Sequence, residues 1–195
     1  MSTRFFRTAL ILLLIPASMA CSLFTSVPMP SQADIEKEEQ AVYAVFVSGS
    51  KGPALILQDT STGLSDDDPQ QTIDNLKGGL PSISNATVDS FVERNAQPGQ
   101  LSPDMQLGVD YALLSEDELA EISSQPNWHK VLAEKYPGSE GYTIFSRVGF
   151  NPSLDQAVLY VGDVAGPLMG AGFYYLLEKQ NGEWGIKEHI MVWIS

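Results

Sequence analysis

Between Tyr142 and Ile194 branched and aromatic residues recur in four strand-length runs: Tyr142 to Phe150, Gln156 to Gly162, Gly172 to Lys179 and Trp184 to Ile194. Such runs, alternating at period two, are the mark of strands with two distinct faces. Asn151-Pro152, Gly166-Pro167 and Asn181-Gly182 separate them. Short turns between successive strands imply an antiparallel meander. Asn181-Gly182 is the most specific of these signals, because a tight hairpin needs positive φ angles that Asn and Gly tolerate. On the first run Tyr142, Ile144, Ser146, Val148 and Phe150 share one face and Thr143, Phe145, Arg147 and Gly149 the other. Both faces are substantially apolar, which predicts a central strand covered on at least one side.

Upstream of the meander the period is helical. Ile35, Glu39, Val42, Tyr43 and Phe46 fall on one helix from Asp34 to about Val47, with Asp34 as cap and Glu36, Glu38 and Glu39 near the positive end of its dipole. Gly49 and Gly52-Pro53 end it, and Ala54 to Gln58 suits a short strand. Asp59 to Gly79, rich in Ser, Thr and Gly with three aspartates before Pro69, reads as a surface loop. Asn85 or Thr87 caps a helix through Val88, Phe91 and Val92, and Val109 to Leu114 reads as a strand. Ser115 and Glu118 form a capping box for a helix through Leu119 and Ile122. Asn127 starts another, in which Trp128, Val131, Leu132 and Tyr136 share a face before Pro137-Gly138 terminates it. The expected architecture is an α+β domain: an antiparallel sheet with a C-terminal four-strand meander, and helices packed on one face. The element order and the closing Gly182-Glu183-Trp184 hairpin resemble the nuclear-transport-factor-like superfamily, which implies a curled sheet wrapped around helices to form a conical pocket.

The N-terminus carries a second pattern. Arg4 and Arg7 form a charged start, Ala9 to Ile15 an apolar run, and Pro16 a break before Ser18-Met19-Ala20 and Cys21, the single cysteine of the chain. That order is the order of a signal peptide. At Cys21 the segment resembles the lipobox of bacterial lipoproteins, which implies a lipidated cysteine as the mature N-terminus. Leucine is usual three residues before that cysteine, and Ser18 stands there instead. Small residues at Ser18 and Ala20 also suit the ordinary secretory peptidase, leaving a soluble exported protein with a free thiol as the other reading. The expected organisation is residues 1–20 as signal peptide, 21–33 as lipidated N-terminus and Ser- and Pro-rich tether, and 34–195 as one domain. The lipid bilayer is then a partner through the acyl chains, with the domain in the cell envelope, outside the cytoplasm.

Removing residues 1–20 removes two bases and no acid, so nine bases stand against 24 acids and the formal charge is −15. Nucleic acid and anionic lipid surfaces would repel such a chain. Basic proteins, metal cations and neutral ligands remain. Asp66, Asp67 and Asp68 lack the alternating ligands, central glycine and distal glutamate of a calcium loop and read as a solvated charge run. No cofactor or resident metal is expected.

Few residues carry recognisable chemistry. His129 and His189 belong to no ligand pair at i, i+2 or i, i+4. Ser139 sits in Pro137-Gly138-Ser139-Glu140-Gly141, where proline replaces the first glycine of a nucleophile elbow. Arg147 stands out, since a guanidinium in a core strand requires a carboxylate or an anionic ligand. Either it pairs internally with Asp110, Asp163 or Glu188, or it joins Ser146 and Asn151 in a pocket for an anionic group, with His129 nearby and Trp128 and Tyr136 as apolar wall. The aromatics of the last strands serve either core or interface. The leading functional expectation is a non-enzymatic envelope lipoprotein that binds a ligand or protein, a basic envelope protein or a small anionic ligand. The alternative is a small-molecule hydrolase or isomerase using an acid–base pair, His129 with Asp110, in a conical pocket.

Overall fold

The computed structural model describes residues 29–65 and 68–195; Cys21, the leader and most of the tether lie outside them, as do Asp66 and Asp67. The chain runs α1 (Gln32–Val47), β1 (Ala54–Leu57), α2 (Pro69–Gly79), α3 (Asn85–Arg94), β2 (Tyr111–Leu114), α4 (Glu116–Ser123), α5 (Trp128–Lys135), β3 (Tyr142–Phe145), β4 (Gly149–Phe150), β5 (Gln156–Gly166), β6 (Met169–Gln180) and β7 (Glu183–Ile194). The strands form one sheet in the order β2-β1-β3-β5-β6-β7, with β4 also on β5. β1 lies parallel to β2 and β3, and every other pairing is antiparallel. The fold is α+β, and β5 to β7 form the C-terminal meander. Asn181 and Gly182 turn its last hairpin with φ of 53° and 89°, placing Gln180 opposite Glu183.

Three features depart from expectation. First, helices occupy both faces of the sheet. Ala157, Leu159 and Val161 of β5 pack with Val42, Tyr43 and Val47 of α1, while Val158 and Tyr160 pack with Leu76 of α2 and Val88 and Phe91 of α3. A strand buried on alternate residues of both kinds needs cover on both sides, and each such side chain contributes about 1.5–3 kcal/mol on leaving water. Leu55 and Leu114 extend the second face toward Ile122 of α4 and Leu132 of α5.

Second, the run from Tyr142 to Phe150 is two strands, β3 and β4, both on β5. At the break Ser146 replaces a ladder position with its side chain: its N–H donates to the Tyr160 carbonyl at 3.0 Å while its Oγ accepts the Tyr160 N–H at 2.9 Å.

Third, the loop expected over Asp59 to Gly79 holds α2. Asp68 caps it, its Oδ1 accepting the Gln70 N–H at 3.0 Å, and Pro69 occupies the first helical position, where its missing N–H costs nothing. α2 buries Thr72 and Leu76. Asp68→Ala should therefore cost about 1 kcal/mol, read as a lower urea midpoint at unchanged slope. At α1 the cap is Ser31, inside the expected tether and three residues before the expected cap Asp34, which closes a reciprocal box onto it: Oγ accepts the Asp34 N–H at 3.2 Å and Asp34 Oδ2 accepts the Ser31 N–H at 3.1 Å. Among the described residues no helix is long and apolar enough to cross a membrane.

Candidate functional site

Arg147 is engaged from within the fold, and its carboxylate is none of the three expected. Glu39, on the buried face of α1, receives Arg147 Nε at 2.9 Å and Nη2 at 2.7 Å, a bidentate pair. Its Oε1 also accepts Arg94 Nη2 at 2.8 Å and the Val148 N–H at 2.9 Å. Burial pushes the Glu39 carboxyl upward, but Arg147, Arg94 and the Val148 amide outweigh it and hold the group below its ordinary value. Asn95 completes the cluster, accepting the Arg147 N–H at 2.9 Å and donating to the Arg147 carbonyl at 2.9 Å. The Tyr43 hydroxyl donates to the Ser146 carbonyl at 2.9 Å. The cluster ties α1 and α3 to the break between β3 and β4.

The other expected pocket residues stand in separate networks. Asn151 shapes the turn from β4 into β5, its Oδ1 accepting the Asp155 and Gln156 N–H groups at 3.1 Å each. Trp128 packs in the α4–α5 cluster with Tyr142 at a ring distance of 6.4 Å, and His129 lies edge-on to it at 6.1 Å. His129 Nδ1 is buried without a hydrogen-bond partner among the described residues. Asp110, just ahead of β2, accepts the N–H of Ala54 at the start of β1 with its carbonyl, and among the described residues no bond joins it to His129. Among the described residues no three His, Cys, Asp or Glu side chains group as metal ligands.

A concavity lies elsewhere. A cleft of about 650 Å³ opens between the C-terminal end of α1, the loop after it, the turn before β3 and the tip of the β5–β6 hairpin. Its lining mixes apolar side chains with polar ones, among them Lys51, Ser139, Glu140, Thr143, Asp163 and Ser195. Asp163 Oδ1 accepts the Thr143 hydroxyl at 2.8 Å, and Lys51 faces Glu140 at 3.7 Å across solvent. The rim is apolar, with Leu168 82% and Met169 66% exposed at the hairpin tip. Phe46 leads from the cleft onto an aromatic shelf on the α1 side of the sheet: it lies 4.8 Å from Tyr175, which is 5.6 Å from both Phe173 and His189. Beyond these rings Met191 is 57% and Ile194 72% exposed on β7. Burial, and then the charge of Asp163, raise the Tyr175 hydroxyl above its ordinary value, so Asp163 is felt across the shelf.

Chemically this surface offers hydrophobic contact, aromatic faces and one carboxylate without a cationic partner among the described residues, Asp163, which accepts the Thr143 hydroxyl. Sequence reading missed it because the cleft is assembled from segments over a hundred residues apart. One local signal existed: Leu168 and Met169 follow Gly166-Pro167 directly, placing two large apolar residues in a turn. Against known proteins, no family model, no curated protein and no solved structure matches this chain.

Proposed function

We propose that this chain is an exported cell-envelope lipoprotein, anchored through acylated Cys21, whose domain binds a partner protein over the cleft and shelf. The observation that carries the binding reading is the exposed apolar rim of Leu168 and Met169, continuous with the cleft. Contiguous apolar surface of this kind marks an interaction site. The anchor rests on the basic start, apolar run and single cysteine of residues 1–21. α1 supplies an orientation that suits both: the preceding segment joins its N-terminus at Ser31, while Phe46 and Val47 at its other end line the cleft. Sixteen residues of helix separate the two by about 24 Å, so the site points away from the attachment. A small anion at Arg147 is the weaker proposal, since it would have to displace Glu39.

The test is site-specific photocrosslinking in a bacterial host, with the photoreactive residue at Leu168 or, as control, at Asp117 on α4. The expected result is a discrete protein adduct from position 168 alone, abolished when Met169→Asp is added. Equal adducts from both positions would end the binding reading. Intact mass spectrometry of the membrane fraction beside Cys21→Ser decides the anchor separately, through acyl mass on a species beginning at Cys21.

A further inference from the structure

The outer strand next to the shelf is the second unpartnered feature of the molecule. The sheet ends in β2 on one side and β7 on the other. β2 is four residues long, a length that offers little to a neighbour, whereas β7 runs for twelve. β7 contains no proline, and among the described residues it pairs only with β6. Its register slips twice, at Lys187 and Val192, leaving Glu188 to Met191 regular between them. Ile186, Met191, Val192 and Ile194 are all exposed along it, at 47, 57, 47 and 72%.

The charges say what fits. Each base nearby is already matched: Lys187 pairs with Glu178, Lys179 with Glu38 while lying 4.9 Å over the Trp184 ring, and Lys51 with Glu140. Asp163 has no cationic partner among the described residues. Glu188 is held by Ser82 on the opposite face. The unmatched charge at the cleft end of the shelf is therefore negative, and the shelf itself is aromatic. That combination favours lysine or arginine, which bind π faces and carboxylates together.

We infer that β7 accepts an extended, basic segment of a partner protein as an additional outer strand, whose lysine or arginine side chains lie on the Phe173–Tyr175–His189 shelf toward Asp163. Main-chain pairing supplies affinity and alternate side chains supply selection. An added strand lies about 4.8 Å from β7, so a long basic side chain on the shelf side reaches the His189 ring and, one strand further, Tyr175. A second copy of this chain fits less well, because two chains with a formal charge of −13 each oppose each other.

The inference rests on the reading of the domain as protein-binding and shares its shelf, but it engages the β7 edge where that reading is carried by the cleft rim, so an edge result and a rim result fail separately. The probe is a fluorescent octapeptide alternating lysine and valine, added to the purified full chain as the host processes it. Controls are a glutamate–valine peptide and a lysine–valine peptide with alternate amides methylated. Anisotropy should show binding of the basic peptide alone, at least tenfold weaker after methylation, and about threefold weaker for Asp163→Asn. Hydrogen exchange at Glu188 to Met191 should slow at least tenfold on peptide addition, and Leu168→Asp should leave both results unchanged. Binding without protection of β7, equal binding of the acidic peptide, or concentration-dependent protection of β7 with no peptide would overturn it, the last by showing a second copy on the edge.

Discussion

Glu39→Ala is expected to lower the unfolding free energy by about 3–5 kcal/mol, the range for removing one member of a buried ion pair. Glu39 is 5% exposed and serves two arginines and a main-chain amide at once. Without it Arg94 and Arg147, with side chains 17 and 26% exposed, face each other uncompensated, and Arg94 Nε already lacks a partner. Glu39→Gln, which keeps one acceptor oxygen, should recover part of the loss. The pH dependence has a definite direction. Because the folded-state carboxyl lies below its ordinary value, its contribution is fully present above about pH 5 and fades as acid protonates it. The gap between the urea midpoints of wild type and Glu39→Ala should therefore narrow as the pH falls below the ordinary carboxylate value of about 4.3. A gap that stays constant as acid is added would mean that Glu39 acts through packing and not through charge.

Gly149→Val should be comparably damaging, at about 3 kcal/mol, for a reason that has no charge in it. A Cβ at Gly149 would stand 2.5 Å from the main-chain N and Cα of Phe91, so α3 itself would have to withdraw from β4. Phe91 is fully buried against Tyr174, ring to ring at 6.0 Å, and cannot follow without opening the core on that face. Thermal unfolding followed by near-ultraviolet circular dichroism would report the loss. A variant that melts within about 2 °C of wild type would show that the helix has room to yield.

How far the fold was legible follows from which interactions are local. Asn181-Gly182 announced its hairpin because two residues alone set its φ angles, and Ser115 announced α4 because a cap acts over three residues: its Oγ accepts the Glu118 N–H at 3.2 Å. α2 was legible too, in Asp68 followed by Pro69, but the surrounding Ser, Thr and Gly outweighed that pair in a reading by composition. The parallel placement of β1 beside β2 and β3 was not, since four residues of Ala-Leu-Ile-Leu suit any strand neighbour. Arg147 could be singled out from its setting, yet not assigned to Glu39, because a charge on an amphipathic helix gives no hint of which distant strand it meets. The cleft and shelf were the least legible, for exposed apolar residues such as Met191 and Ile194 look in sequence like the buried ones beside them.

The distances along the chain between partners also fix an order of events at the chain's birth. α1 is synthesised first, but Tyr43 waits 103 residues for Ser146, Glu39 waits 108 for Arg147 and Glu38 waits 146 for Trp184. β1 must likewise be flanked by strands that begin at Tyr111 and Tyr142. Non-local contacts of this kind are paid in loop entropy before they return anything, which makes folding slow and late. The leading half of the molecule thus has nothing stable to collapse onto until its final fifty residues arrive. The export proposed above, in which a chain is threaded unfolded through a membrane pore front end first, would be well served by such an arrangement, because the knot of contacts that would jam it is tied only by the last part to emerge.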